Sequence, residues 1–476
     1  MSRESKLVKN TIVLSIGTFL PKLASFVTIP ILTGFLTKEE YGTYDLILVL
    51  VSLLLPAASL QIQTAAFRFL IDERDNEKSI KKIVTNIFAF IIPSSVTALL
   101  IVFWFLPGDI IIRLLVCLYL LLDMLVNAAR QVARGLNKNM AFSVNSIINS
   151  FGIMIFAVVF VWALNWGLLG AVLSLVLSTA IALIDILFRA LLYKYIDLKT
   201  IAWKEIKKMI AYSWPMVPNS MSMWVMQVSD RFVISTFMGL AANAVYSVAN
   251  KIPSLLSIAQ STFTMAWQEN ASIVSKDEDA DAYYESMFHT MFDLMAGALG
   301  LLICATPLLF VLLIRGDYSE AYHQMPILFI GMFFSSMCSY LGGIYVAYKD
   351  TKSVGITTTA AAVCNLVVDL ALIHFIGIYA ASISTLVSFL LLFVFRMINV
   401  RKLVKIKYHI RHILIVFGIL VVESALCFFQ MPVLDLINIL LGIVVFFILN
   451  RSLIKVVYTK IKQKLRKKQD GKNSNC

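Results

Sequence analysis

The stretch TIVLSIGTFLPKLASFVTIPILTG, residues 11–34, sets Lys22 beside Pro21 inside an otherwise apolar run. A cation in hydrocarbon is costly, so it marks a binding site or pathway until shown otherwise. Lys22 follows Lys9 by 13 residues; at 1.5 Å per residue it lies about 20 Å along a helix, too deep to snorkel easily to the headgroups. It must face water, a substrate or a buried acid. Thr11, Ser15, Thr18, Lys22 and Ser25 step by 4, 3, 4 and 3, one stripe at the helical period. A longer stripe runs Asn250, Ser254, Ser257, Ser261, Thr264 and Gln268, with Lys251 beside its end. Further stripes are Ser220, Trp224, Gln227 and Arg231; Gln61, Thr64 and Arg68; and Asp123, Asn127, Arg130 and Arg134.

Polar faces of this kind can line a wet cavity, and small polar residues can also simply let membrane helices pack closely. The cavity reading selects Lys22, Arg68, Gln227, Arg231, Lys251, Ser257, Ser261 and Gln268 as substrate-binding residues. Carboxylates in such helices couple transport to protons or sodium. The acids in spans are Asp123, Asp185, Asp293, Asp369 and Glu423, with Glu269 at the end of the longer stripe; Asp123 is the first choice, while Asp185 and Arg189 have the i, i+4 spacing of a plain helix pair.

The elements that must hold these residues are membrane helices. Of the 476 residues 59% are hydrophobic and only 14% charged, and mean hydropathy is +0.84. Apolar runs of roughly 20 to 28 residues recur along the chain, enough for a core about 30 Å thick. A lipid-facing backbone must satisfy its own hydrogen bonds, and the runs are too long and unbroken for barrel strands. The fold class is therefore an all-α polytopic membrane protein of about 14 spans, including spans two, seven and eight at 44–69, 210–238 and 242–270. The first run is too long for a cleaved signal peptide. With both termini inside, all but six of the 41 Lys and Arg fall on inner segments or at the inner ends of spans; the exceptions are Lys22, Lys38, Arg113, Arg231, Lys251 and Arg315. The basic stretch after Tyr458 reads as a cytoplasmic anchor to anionic headgroups.

Two internal echoes point to duplication. FLTKEEYGTY at 35–44 matches FMGLAANAVY at 237–246, and GLLGAVLSLVLS at 167–178 matches GIYAASISTLVS at 377–388, at offsets of 202 and 210. Similar offsets divide the chain into an N-lobe at 1–200, a C-lobe at 201–408, two added spans at 409–458 and a tail at 459–476, the two six-span lobes being parallel repeats.

Other chemistry is not expected. The six cysteines are scattered without a C-x-x-C pair. DEDADAYYESMF at 277–288 spaces its first acids like a calcium loop but puts Ala282 at the turn glycine and Phe288 at the closing glutamate, so it reads as a solvated helix start. His409 and His412 lie in a basic interfacial segment with no nearby acid or cysteine expected, so no metal site is expected. No phosphate-binding G-x-x-x-x-G-K-[ST] loop is present.

The segments KNTIVLSIGTFLPKLASFVTIPILTGFLTKEEYGTYDL, SDRFVISTFMGLAANAVYSVANKIPSLL, AWQENA at 266–271 and GIYAASISTLVSFLLLFVFR at 377–396 resemble the Wzx-type polysaccharide flippases. These belong to the multidrug/oligosaccharidyl-lipid/polysaccharide exporter superfamily, with the MATE exporters and the MurJ flippases. The resemblance covers residues 5–410 and maps family motifs onto Tyr41, Gly42, Tyr44, Asp230, Arg231, Lys251 and Pro253. It implies a pseudo-twofold V of two lobes around a cavity. The implied cargo is an undecaprenyl-diphosphate-linked oligosaccharide, carried by alternating access from the inner to the outer leaflet of a bacterial cytoplasmic membrane for capsule, exopolysaccharide or O-antigen synthesis. Lys22 would then hold the diphosphate or the sugar chain. No cofactor is implied beyond coupling to a proton or sodium gradient. The implied partners are membrane lipids and the polymerase and chain-length machinery, and nucleic acid is not expected. A MurJ-like lipid II flippase and a MATE-type drug antiporter are the alternatives, although basic walls at Lys22 and Lys251 suit cationic drugs poorly. A polysaccharide polymerase, as the enzyme alternative, would need a longer outer loop than the roughly ten-residue connections read here.

Overall fold

The computed structural model describes residues 3–451 except 75, 107–108, 276 and 349, together with 453–455 and 459; some side chains within α-helices, including those of Thr11, Ser15, Ser261 and Glu269, lie outside the description. The described residues form helices joined by connections, with no strand among them. The helices are α1 (Arg3–Phe35), α2 (Lys38–Ser59), α3 (Ile62–Asp72), α4 (Glu77–Phe105), α5 (Ile110–Gly135), α6 (Asn139–Ala157), α7 (Gly167–Arg189), α8 (Trp203–Ser213), α9 (Met216–Phe237), α10 (Leu240–Ala249), α11 (Leu255–Val274), α12 (Ala280–Leu313), α13 (Ser319–Ala347), α14 (Thr351–Ile376), α15 (Tyr379–Asn399), α16 (Ile410–Phe428) and α17 (Pro432–Leu449). Among the described residues twelve helices are long and apolar enough to cross a membrane. The expected seventh and eighth spans, in α9 and α11, are 22 and 20 residues long but are not among the twelve. Their Ser, Thr, Asn and Gln content, with Asp230 and Arg231 in α9, lowers their hydropathy.

The chain forms two compact units. One comprises Met1–Val248, Leu312–Tyr318 and Ala362–Ala381; the other comprises Ala249–Val311, Ser319–Ala361 and Ser382–Cys476.

In the first unit, α2 starts at a capping box, with Thr37 accepting from the Glu40 N–H and Glu40 from the Thr37 N–H. Expected span two is not one helix. Leu60 and Gln61 both take left-handed backbone angles and separate α2 from α3; the Leu60 carbonyl freed by the break accepts from Ser213 Oγ at 2.8 Å. Small residues set several close approaches. Ser143 on α6 donates to the Val13 carbonyl of α1 at 2.9 Å and lies against Gly17. At Gly42 an added Cβ would meet the Leu240 carbonyl oxygen at 1.8 Å, so only glycine permits this contact with the start of α10.

The second unit opens with another break. Expected span eight is divided between α10 and α11 by turns around Pro253, which lacks the N–H that a continuous ladder needs. Its core is aromatic. Trp267 is 2% exposed, stacks on Tyr340 at 4.4 Å and donates to the Tyr340 carbonyl at 2.9 Å.

Candidate functional site

Arg231, read from sequence as a cavity cation, is tied into the first unit. Its Nη1 lies 3.1 Å from Oδ1 of Asp45 on α2. Asp45 is buried and also accepts from Ser247 Oγ at 2.5 Å and Asn243 Nδ2 at 3.5 Å. The rest of the α9 stripe mostly follows suit. Trp224 Nε1 donates to Ser52 Oγ at 3.0 Å, and Ser220 Oγ accepts from Gln61 Nε2 at 3.0 Å. The face thus forms a polar seam against α2 and the α2–α3 break, and Gln227 is its exposed member. Arg68 sits exposed on α3, paired with Asp72 at 2.6 Å one turn on.

Next to the Asp45 pair are two buried acids, Asp230, read from sequence as a motif residue, and Asp369, read as one of several acids able to couple transport. Asp230 on α9 accepts from Tyr246 Oη at 2.7 Å. Asp369 on α14 is fully buried, and neither carboxylate oxygen has a hydrogen-bond partner among the described residues. Asp230 is near enough to act on Asp369 electrostatically. Asn365, one turn before Asp369, accepts from Ser229 Oγ at 3.5 Å, which brings α9 and α14 together here. Burying a carboxylate without a partner is expensive unless a proton or a cation neutralises it.

Asp123 is half-buried on α5, and its backbone carbonyl accepts from Asn127 at 2.8 Å. The basic end of its stripe holds helices together. Arg130 donates to Asn145 Oδ1 at 2.8 Å, Asn145 to Asp185 at 3.0 Å, and Asp185 pairs with Arg189 at 2.6 Å, as the spacing predicts. Arg134 lies over the rings of Phe67 and Phe142. Lys22 is half-buried on the membrane-crossing part of α1.

In the second unit Lys251 is half-buried in the turns before α11. Ser257 donates to the Ser254 carbonyl at 2.6 Å, and Gln268 is half-buried against Gly343. Ser261 and Glu269 cannot be placed, since their side chains lie outside the described residues. The α11–α13 seam is built by Gln260, which bonds Ser336 at 2.9 Å and Ser339 at 2.5 Å. Arg396 on α15 was not singled out in sequence. It is buried and donates to the Cys338 carbonyl, Thr357 and Thr358 at 2.7–3.2 Å.

The expectation that no acid lies near His409 or His412 is corrected. His412 Nε2 is 2.6 Å from Asp293 Oδ1, and His409 stacks on His289 beside Glu285. These partners come from α12, more than a hundred residues earlier. The acidic run before them behaves as read, since α12 begins at Ala280 and Asp281 accepts from the Lys405 N–H.

Residues 7–269, more than half of the chain, match the family described as polysaccharide biosynthesis protein. The chain belongs to this family. Comparison with curated proteins finds no match. Solved structures share the fold of this polysaccharide biosynthesis protein at low identity. One titled as the lipid II flippase MurJ in an inward closed conformation aligns at TM-score 0.70 and 15% identity, covering 93% of this chain and 100% of that one. A multidrug resistance MATE family transporter of the MOP superfamily aligns in its inward-facing conformation at 0.67 and 14%, covering 83% and 98%. In an outward-facing conformation such a transporter aligns at 0.59 and 15%, covering 83% and 95%. The resemblance read from the sequence therefore holds for family and fold.

Proposed function

We propose that this polysaccharide biosynthesis protein is a flippase for an undecaprenyl-diphosphate-linked oligosaccharide. It would move the cargo from the inner to the outer leaflet of the cytoplasmic membrane by alternating access, with both termini cytoplasmic, and hand it to the polymerase and chain-length machinery. The observation that carries the reading is Lys22, a half-buried cation kept in a membrane-crossing helix. A diphosphate crossing a low-dielectric core needs its charge compensated, and a cation at that depth does so. The α9 stripe contributes less than its pattern promises, because Arg231 is committed to Asp45.

Coupling is assigned to the Asp230 and Asp369 group rather than to Asp123. Asp369 is buried, and neither of its carboxylate oxygens is hydrogen-bonded among the described residues. A proton or a sodium ion taken up at Asp369 neutralises that carboxylate, and its release would drive the return step.

The test is native mass spectrometry of lipid co-purifying from the native host, with wild type and Lys22→Gln at matched expression. Undecaprenyl diphosphate oligosaccharide on the wild type and its loss from the variant are expected. Lipid II in its place would transfer the assignment to a MurJ-like role; no bound lipid would favour a drug antiporter; equal retention by both proteins would make Lys22 structural. Asp369→Asn is expected to keep bound lipid and lose transport. Full transport by that variant refutes the coupling assignment.

A further inference from the structure

We propose that Glu285, His289 and His409 form a binding site for a divalent transition cation of the zinc class. Glu285 and His289 are four residues apart on α12 and so share a helix face. His409 stands just before α16 and is brought to that face by the segment leading up to it. In that segment Val404, Ile406 and Tyr408 are buried while Lys405, Lys407 and His409 are exposed, the alternation of an extended chain. One ligand atom from each of the three residues lies within 4.8 Å of the others. Side-chain rotation can close that spread to the roughly 2.0–2.2 Å bonds that zinc makes with nitrogen and oxygen.

The surroundings orient two of the ligands. His289 Nε2 donates to the Lys407 carbonyl at 3.1 Å, which leaves the Nδ1 lone pair for an ion. The Lys407 N–H donates to Glu285 Oε2 at 3.2 Å, which leaves Oε1. Contacts of this kind fix the tautomer and direction of metal-bound groups. The rings of His289 and His409 stack at 4.3 Å with 19° between planes, so their lone pairs run side by side rather than converge. Ion capture therefore turns His409 out of the stack, and its exposed position at the helix edge permits the turn. Two imidazoles and a carboxylate favour zinc, cobalt or nickel over magnesium and calcium, which take all-oxygen sets. The fourth position remains open to water, as Glu285 and His289 are only half-buried. The exposed Lys405, Lys407 and Arg411 oppose a cation and moderate its affinity. A bound ion would fasten the start of α12 to the connection between α15 and α16, a staple independent of the transport reading.

The experiment titrates cobalt(II), followed by zinc(II) displacement, into the full-length protein in detergent micelles without an affinity tag. The readouts are the visible cobalt spectrum and calorimetry. Wild type is expected to bind one cobalt with the intense absorption of a four-coordinate ion. His409→Gln and Glu285→Gln are expected to lower the affinity by about tenfold or more, while His412→Gln, outside the three ligands, leaves it unchanged. The amide introduced by Glu285→Gln keeps an oxygen for the Lys407 N–H, so that variant separates ion binding from anchoring of the segment. Metal-free melting curves confirm that each variant is folded. A wild type that binds no cobalt, or His409→Gln and Glu285→Gln variants that titrate like wild type, overturns the proposal.

Discussion

The pairing of Arg231 with Asp45 assigns a structural role to a residue whose type and place look like a ligand's, and the two roles separate energetically. Asp45 is 2% exposed at its side chain and Arg231 20%, so the acid depends on the pair more than the base does. Arg231→Met leaves the Asp45 carboxylate with two neutral donors, Ser247 and Asn243. Orphaning a buried charge costs about 3–5 kcal/mol; the partial exposure of Arg231 places this variant near the low end, at about 3 kcal/mol. Asp45→Asn leaves a guanidinium that can still reach water and keeps an oxygen for Ser247, so about 1–2 kcal/mol is expected. In the double variant neither charge is stranded, and a coupling of about 1–3 kcal/mol should appear. The assay is reversible unfolding in mixed micelles for the four proteins of the cycle, with co-purified lipid measured on the same samples. Coupling below about 0.5 kcal/mol, together with an Arg231→Met protein of wild-type stability that has lost its lipid, refutes the structural reading and returns Arg231 to the binding site.

Three further outcomes follow from packing. Gly42→Ala places a methyl 1.8 Å from the Leu240 carbonyl oxygen, so the backbone must shift; a loss of about 3 kcal/mol or failure to accumulate is expected, read by fluorescence-detected size exclusion. Trp267→Ala removes the ring stacked on Tyr340, and thermal unfolding should report a loss of about 3–5 kcal/mol, with Trp267→Phe recovering most of it. Arg396→Lys replaces a planar fork that reaches Cys338, Thr357 and Thr358 with a single ammonium; unfolding in mixed micelles should show a loss of about 1–3 kcal/mol.

Long apolar runs made the helical membrane fold legible, because bilayer thickness imposes a length that sequence displays directly. The breaks at Leu60–Gln61 and around Pro253 were not read, since each interrupts a run without changing its apolar character enough to show. The stripes illustrate a deeper ambiguity. Spacing of three and four marks a polar helix face whether that face meets water or a second helix, and Ser220, Trp224 and Arg231 meet α2 or the break that follows it. Asp230 was visible as a motif residue, but Asp369 looked like one acid among several until α9 and α14 came together. His409 could not be joined to His289 by any local pattern, because 120 residues separate them.

The first unit is discontinuous, and this has a consequence for biosynthesis. Its last part, Ala362–Ala381, follows Val248 only after about 110 residues, all but Leu312–Tyr318 belonging to the second unit, roughly 6 to 23 s of translation at 5–20 residues per second. Until then α9 is already made but the helix carrying Asn365 and Asp369 is not. During that interval α9 has its seam with α2 but not its contact with α14. A chain stalled before residue 362 would keep the Tyr246 hydroxyl on Asp230 but leave Ser229 without Asn365.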